Sequence, residues 1–223
     1  MMNLKSSKEE VLNPSEVEVV MEPKKNLKNK SRNTKKLEVR KMAIIGVLSA
    51  ISIMLSMTPL GFIPIGPTSA TIMHIPVIIG AVVEGPVVGM IVGFIFGATS
   101  LIRNLTMPTI TSFALINPLV SILPRVLIGI VAYYVYKMTV KLIKNTFISG
   151  WITGVIGSLV NTIGVLGMIY ILYGARYANA LGESASSAKT LILTLIATNG
   201  IPEAIVGGFV VSAVCVVFNK RKK

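Results

Sequence analysis

The charged residues of this chain are concentrated at its two ends, and this separation restricts the possible folds more than any other feature. Of its 31 Lys, Arg, Asp and Glu residues, 17 precede Met42 and four follow Phe218. The 177 residues between those limits carry only ten, whereas soluble domains are roughly 25% charged. A segment this poor in charge cannot present a surface to water, so we predict an all-α membrane protein.

The remaining composition excludes several classes of protein. A net charge of +13 would favour nucleic-acid binding in a soluble protein, but here the basic residues flank apolar segments. One cysteine, Cys215, and one histidine cannot form an internal disulfide or a zinc site. The N-terminus has no apolar core like that of a signal peptide.

Composition divides the chain into three parts. Residues 1–41 contain eleven Lys/Arg and six Glu without a periodic apolar face, which predicts a disordered basic cytoplasmic tail. Residues 42–219 form the predicted six-helix transmembrane substrate-binding domain, and 220–223 a basic cytoplasmic end. The tail acts either as a topology signal or as a contact with anionic lipid.

Six apolar segments predict six transmembrane helices. The second is shorter than the roughly 20 residues that a perpendicular helix needs, so it must rely on neighbouring helices. Segments rich in Pro, Gly and small polar residues are predicted to be loops, and Glu84-Gly85-Pro86 a tight turn. The spans are about 42–57, 72–83, 86–102, 116–136, 147–173 and 191–218, and the loops are 58–71, 103–115 and 174–188.

Basic residues predict the orientation. With the N-terminus inside, the cytoplasmic segments hold 18 Lys/Arg, whereas the outside loops hold Arg103, Arg176 and Lys189. By the positive-inside rule both termini are therefore cytoplasmic.

Three polar residues lie at similar heights within the predicted spans. Arg125 is in the fourth span, Asn161 in the fifth and Glu203 in the sixth. Charges inside a bilayer are costly and generally have partners or a function. We predict a buried ion pair between Arg125 and Glu203, which either borders a ligand cavity or only clamps two helices.

Five further polar residues are candidates for ligand contacts, each with a structural alternative. Asn199 precedes Pro202, which is expected to kink the sixth span and expose carbonyl groups for a midplane site or only to adjust packing. The other four are His74, a ligand or a helix-end packing residue; Arg103 and Asn104, an anion contact or an interfacial anchor; and Asn117, a ligand or a helix cap.

Small residues predict close helix packing in two spans. Gly46 and Ala50, with Ala43 nearby, occupy the first span, and Gly89, Gly93 and Gly97 recur every four residues in the third. Such faces allow helices to approach closely, either within this bundle or against another protein.

The sequence has no Walker motif, no His-Glu-x-x-His, no Gly-x-Ser-x-Gly and no paired intramembrane aspartates. We therefore expect no enzymatic activity and no cofactor in this chain. An intramembrane enzyme that uses Glu203 as acid or base remains an alternative.

One long stretch and three shorter ones resemble the substrate-binding S components of energy-coupling factor (ECF) vitamin transporters. The long stretch is Thr58–Gly89 (TPLGFIPIGPTSATIMHIPVIIGAVVEGPVVG), and the shorter ones are SLIRN at 100–104, TSF at 111–113 and NGIPEA at 199–204. The resemblance covers roughly residues 40–220 and is greatest to the pantothenate branch, which was once also assigned to hydroxymethylpyrimidine.

The resemblance implies a six-helix bundle with a pocket near the outer face, capped by the loop 58–71. It also implies a transmembrane scaffold subunit and two ATPase subunits that hydrolyse ATP. Family members dock on the scaffold through an Ala-xxx-Ala pattern in the first helix. Here Val47 replaces the second alanine after Ala43, whereas Gly46 and Ala50 keep small residues, so the match to this pattern is partial and leaves the docking register open.

These observations predict a binding subunit of a vitamin importer in the cytoplasmic membrane of a prokaryote. The resemblance implies pantothenate as the vitamin. The residues agree with an anionic ligand, because Arg103 and Arg125 exceed the charge that Glu203 can neutralise, and pantothenate carries a carboxylate. The alternatives are another vitamin or precursor, such as hydroxymethylpyrimidine or pyridoxine, and a membrane scaffold protein that transports nothing.

Overall fold

The computed structural model describes residues 38–65 and 68–220. Residues 1–37 of the predicted tail and the predicted end 221–223 lie outside the described residues. Residues 38–41, also assigned to the tail, are helical instead. The contacts given below belong to the compact unit Ala43–Lys223.

Within the described residues, the regular secondary structure is helical apart from one short hairpin. Its elements, in chain order, are α1 (Glu38–Met57), a 3-10 turn (Pro59–Gly61), β1 (Phe62–Ile65), β2 (Thr68–Thr71), α2 (Ile75–Glu84), α3 (Pro86–Thr106), α4 (Ser112–Leu115), α5 (Pro118–Ser121), α6 (Leu123–Ile143), α7 (Thr146–Ala180), a second 3-10 turn (Ala185–Ser187) and α8 (Ala188–Lys220).

Five helical segments in the described part of the chain are long and apolar enough to cross a membrane. They are α1, α3, α5 together with α6, α7, and α8 with the turn before it. The second predicted span, α2, has 10 residues and is therefore about 15 Å long at 1.5 Å per residue, half the thickness of the hydrocarbon core. Most of its side chains are buried, so α2 is a core element, consistent with the predicted reliance on neighbours.

The predicted turn between the second and third spans is confirmed. Gly85 has a φ of 104°, which side chains rarely tolerate. Pro86 then begins α3, where its missing N–H costs no helical hydrogen bond. The two helices therefore pack side by side.

The prediction that 58–71 is only a loop is wrong. Strands β1 and β2 pair antiparallel, with Phe62 opposite Thr71 and Ile65 opposite Thr68. Below the strands, the Ile72 N–H donates to the Gly61 carbonyl at 3.1 Å. The prolines at 64 and 67 concealed this hairpin from a sequence reading that treats Pro as a strand breaker.

Several predicted boundaries also differ from the structure. Helix α6 runs to Ile143, beyond the predicted end near 136 and through most of the predicted basic link. Helix α3 extends to Thr106, and α7 extends to Ala180, although both ends were predicted to be loops. The fourth span is interrupted between α5 and α6, each of which has a proline in its first turn. Helix α8 continues through Pro202.

The core is centred on α2. Val77, Ile78 and Ala81 of α2 are fully buried with Val92 of α3 and Ile128 of α6. Arg125 lies three residues before Ile128 on α6. Packing of α2 against α6 therefore fixes the backbone from which the Arg125 side chain projects.

Glycines allow two helix pairs to approach closely. A Cβ on Gly93 of α3 would clash with the Arg125 carbonyl of α6, and one on Gly89 would clash with Gly129. The predicted glycine face of the third span thus packs within this chain, as one of its two interpretations proposed.

The most extensive helix–helix interface among the described elements joins α7 and α8. A Cβ on Gly154 of α7 would clash with the Gly207 carbonyl and lie 2.7 Å from the Gly208 Cα of α8. One helical turn earlier, the indole Nε1 of Trp151 would be 2.9 Å from a Cβ on Gly208. Small residues at this interface let the two backbones pack directly.

Candidate functional site

A cavity of about 310 Å³ opens near the hairpin, between the ends of α1, α3 and α6 and the middle of α7. This volume lies at the lower end of the range for small-molecule sites, about 300–1,000 Å³. Polar side chains and a few apolar ones share the lining: Ser56, Thr71, Met73, Phe96, Ser100, Arg103, Asn104, Met107, Thr109, Leu115, Arg125 and Asn161. We call it the hairpin cavity.

Arg125 is the most deeply buried charge of the hairpin cavity, with 6% of its surface exposed. Its Nη1 donates to the Val120 carbonyl of α5 at 2.6 Å, and its Cζ lies 5.6 Å from the centre of the Phe96 ring. Its Nε has no hydrogen-bond partner. A buried N–H without an acceptor is costly, so an acceptor bound in the cavity would stabilise this group.

Asn161 presents the complementary situation. It is 7% exposed, lines the cavity, and its Oδ1 is buried without a hydrogen-bond donor. A ligand that carries both an acceptor for Arg125 and a donor for Asn161 would satisfy two groups that the protein leaves unpaired.

Asn104 lines the cavity and also holds the α3–α4 connection in place. Its Oδ1 accepts from the Ser112 hydroxyl at 2.7 Å, and its Nδ2 donates to the Ser100 carbonyl at 2.8 Å. The Ser112 oxygen accepts in turn from the Thr109 N–H at 2.8 Å. Asn104 therefore positions cavity residue Thr109, with one amide hydrogen left for a ligand. Arg103, its neighbour, lines the same cavity.

The predicted direct ion pair between Arg125 and Glu203 is wrong. Both oxygens of the Glu203 carboxylate accept hydrogen bonds from threonines: Oε1 from the N–H and hydroxyl of Thr71, at 2.8 and 2.7 Å, and Oε2 from Thr162 at 2.7 Å. Glu203 is 4% exposed and is not among the residues that line the hairpin cavity. The hydrogen bonds of these two side chains go to different partners, the Val120 carbonyl for Arg125 and the two threonines for Glu203.

His74 is fully buried behind the cavity. Its Nε2 lies 2.8 Å from the Ser158 hydroxyl, which donates to the Gly154 carbonyl at 2.8 Å. Because a hydroxyl has one hydrogen, His74 donates through Nε2 to the Ser158 oxygen. This bond ties the start of α2 to α7, which fits the structural interpretation of His74.

The other two predicted ligand residues lie outside the cavity lining. The Oδ1 of Asn117 accepts from the Leu119 N–H at 3.0 Å and caps α5, while its Nδ2 donates to the Tyr173 hydroxyl at 3.0 Å. This geometry fits the helix-cap interpretation. Asn199 is half-buried on α8, with an Oδ1 that has no hydrogen-bond partner.

The sequence reading missed several cavity residues because their types are common in membrane helices. Thr71 and Thr109 stand in segments predicted only as loops, and Met73 stands near the start of the predicted second span. One available signal was the spacing of serines on α1: Ser49, Ser52 and Ser56 are buried on an otherwise exposed helix. Ser52 donates to the Met73 carbonyl at 3.3 Å and Ser56 to its sulfur at 3.4 Å.

The candidate docking residues of α1 occupy its free face. Ala43, Gly46 and Ala50 are exposed, and no atom lies within 4 Å of a Cβ built on Gly46. Within residues 38–65 and 68–220, no three His, Cys, Asp or Glu side chains gather as a metal site requires.

Comparison with known proteins gives one family and two relatives. The family described as "ECF transporter, substrate-specific component" matches residues 40–215. The "Pantothenic acid transporter PanT" of Lactococcus lactis subsp. cremoris is 26% identical over 205 residues, which cover 84% of this chain and 98% of that protein. The "Pantothenate transporter PanT" of Leuconostoc mesenteroides is 26% identical over 166 residues, covering 70% and 79%.

Proposed function

Because this chain belongs to the family of ECF transporter substrate-specific components, we propose that it binds pantothenate in the hairpin cavity for import. Both curated relatives are named for pantothenate or pantothenic acid. The chemistry of the cavity supports this substrate, since pantothenate combines a carboxylate, an amide, two hydroxyls and a gem-dimethyl group.

The unpaired Nε of the buried Arg125 carries the proposal. An N⁺–H donor at a cavity wall is suited to a carboxylate, with which arginine forms charge-assisted hydrogen bonds. Arg103 lines the same cavity, and Glu203 offsets one of these two positive charges from behind it.

The remaining lining provides places for the other parts of pantothenate. Asn161 can accept a hydrogen bond from the ligand amide or a hydroxyl through its unpaired Oδ1. Met73, Phe96 and Leu115 offer an apolar contact for the gem-dimethyl group. Small-molecule sites commonly combine such apolar walls with a few fixed polar groups.

Isothermal titration calorimetry of the purified protein tests the substrate. Pantothenate is expected to bind at least about a hundredfold more tightly than panthenol, the analogue with an alcohol in place of the carboxylate, since losing a charge-assisted partner at a buried site costs about 2–5 kcal/mol. Equal affinity for the two compounds, or tight binding of a neutral vitamin with none of pantothenate, would refute the proposal.

We propose that the protein has six membrane segments and that both termini lie in the cytoplasm. Five helices have the length to cross, and α2 would be completed as a membrane segment by the hairpin that precedes it. The excess of basic residues at the chain ends supports this orientation, which places the hairpin cavity near the outer face of a prokaryotic cytoplasmic membrane.

Transport itself would need other subunits. A transmembrane scaffold subunit and two ATPase subunits would complete the importer, with ATP bound and hydrolysed by the ATPases. Release of the vitamin inside would follow toppling of this subunit within the membrane, as the family resemblance implies.

The exposed small residues of α1 are the proposed docking surface for the scaffold. Gly46→Leu is expected to reduce co-purification with a co-expressed scaffold and ATPases at least about tenfold, because a leucine there prevents close helix approach. Pantothenate binding to the isolated subunit should persist, since a Cβ at Gly46 meets no atom within 4 Å. Ala197→Leu, at an exposed position of α8, is the matched control; an equal loss with both variants would contradict this surface.

A further inference from the structure

Both carboxylate oxygens of Glu203 accept hydrogen bonds from two neighbouring elements, strand β2 and helix α7. Oε1 accepts two hydrogen bonds from Thr71 at the end of β2, at 2.8 and 2.7 Å, and Oε2 accepts one from Thr162 of α7 at 2.7 Å. Glu203 itself belongs to α8. One buried side chain therefore connects the hairpin to both helices of the longest helix pair in the bundle.

Thr71 is the point at which this connection meets the cavity. It is the last residue of β2, pairs with Phe62 of β1, and lines the hairpin cavity. Only the short 3-10 turn Pro59–Gly61 and a few residues around Met73 join the hairpin to α1 and α2. Strand β2 packs against α8, so the bonds to Glu203 determine where this wall of the cavity stands.

The two buried charged residues, Arg125 and Glu203, have different surroundings and therefore different roles. Arg125 faces the cavity and keeps an unpaired N–H, whereas Glu203 lies outside the lining with both oxygens engaged. A carboxylate that directly held a ligand hydroxyl or amide would need a free lone pair towards the cavity. The three observed hydrogen bonds instead engage both carboxylate oxygens with Thr71 and Thr162.

We propose that Glu203 is a positioning residue that latches the β1–β2 hairpin onto α7 and α8 and so closes one side of the hairpin cavity. The part of this proposal that concerns ligand retention depends on the proposed function. With the latch formed, Thr71 stays in the cavity wall and a bound ligand leaves slowly. With the latch broken, the hairpin opens more often and the ligand escapes faster.

Two substitutions at the same position separate a latch from a charge effect. In Glu203→Gln, the amide oxygen can accept both bonds from Thr71, while the amide N–H₂ donates to the Thr162 hydroxyl, whose hydrogen is free to rotate. Glutamine thus keeps the latch and removes the negative charge. Glu203→Ala removes the latch and the charge together.

The first measurement needs no ligand. Hydrogen–deuterium exchange of the hairpin amides, followed by mass spectrometry on the detergent-solubilised or nanodisc-embedded protein, reports opening of the latch. Glu203→Ala is expected to accelerate exchange in the peptide containing Thr71 by about tenfold or more, the effect of losing a buried hydrogen bond of this kind. Glu203→Gln should stay within about threefold of the unaltered protein.

The controls address misfolding. Thr198→Ala removes an exposed hydroxyl of α8 that bonds only its own helix and should leave hairpin exchange unchanged. Thr71→Val removes one of the three hydrogen bonds of Glu203 while keeping the backbone N–H, so intermediate exchange is expected even if Glu203→Ala fails to fold. Unchanged exchange in Thr71→Val and Glu203→Ala, or equal acceleration in Glu203→Gln and Glu203→Ala, would overturn the latch.

The second measurement is the dissociation rate of radiolabelled pantothenate. Glu203→Ala is expected to release it at least about tenfold faster, and Glu203→Gln is expected to restore slow release. A latch that opens in the exchange experiment without faster release would refute the retention role alone. If neither the unaltered protein nor any variant binds pantothenate, the proposed function is refuted. The exchange experiment still shows whether Glu203 holds the hairpin in place.

Discussion

Arg125→Gln is expected to weaken pantothenate binding at least about a hundredfold, the largest effect of any single substitution in the hairpin cavity. Glutamine is uncharged and shorter than arginine, so it offers the ligand no positive charge, and its amide does not reach the position from which Nη1 donates to the Val120 carbonyl. Removing one member of a buried, hydrogen-bonded charge pair costs about 2–5 kcal/mol, and each 1.4 kcal/mol corresponds to a factor of about ten in affinity. Calorimetry on the purified subunit measures the loss directly.

Two controls accompany this experiment. Arg176→Gln removes a positive charge that stacks over Phe113, 4.2 Å from the ring centre, and lies outside the cavity lining; it should change affinity less than about threefold. The melting temperature of Arg125→Gln must also be measured, because Glu203 then loses its nearby positive charge. A folded Arg125→Gln protein that binds within threefold of normal would show that the carboxylate does not bind Arg125.

Gly154→Ala is expected to lower the stability of the bundle, although it adds only one methyl group. The added Cβ would clash with the Gly207 carbonyl and lie 2.7 Å from both the carbonyl carbon of Gly207 and the Gly208 Cα, all backbone atoms that cannot rotate away. Overpacking of this kind costs about 1–3 kcal/mol, more than the roughly 0.5–1 kcal/mol that alanine gains over glycine in a helix. The melting temperature should fall by about 5 °C.

Gly167 offers a matched control on the same helix. A Cβ there meets no atom within 4 Å, so only the helix-propensity gain applies and Gly167→Ala should melt at the same temperature or slightly higher. A thermal shift assay in one detergent compares the two variants. Equal destabilisation by both alanines would mean that helix–helix contact at Gly154 does not limit stability.

Hydropathy was sufficient to predict the long helices because membrane-spanning segments need continuous apolar surface. It was insufficient for their ends: α7 continues to Ala180 through residues that are small and polar, which helices outside the hydrocarbon core tolerate. The break between α5 and α6 was also missed, although Pro118 and Pro124 mark the first turns of the two helices and proline favours that position.

Only part of the candidate site was predicted, because the sequence gives the position of a residue along its helix but not its partners on other elements. Position along a helix gave the heights of Arg125, Asn161 and Glu203, and two of them line the cavity. Height does not determine which hydroxyl stands opposite a charge. The partners of Glu203 are threonines 132 and 41 residues away, one of them at the end of a hairpin that no sequence periodicity indicated, so the prediction selected the nearest opposite charge instead.

The close contact between α7 and α8 also determines how this protein can be observed. Its one tryptophan, Trp151, packs against Gly208 at that contact, ten residues before the cavity residue Asn161 and therefore about 15 Å along the helix axis. Fluorescence excited at the indole band therefore arises at the α7–α8 contact, since Trp151 is not among the residues that line the cavity. The natural chain thus contains a single built-in optical reporter of bundle integrity, with no competing indole signal from the ligand pocket.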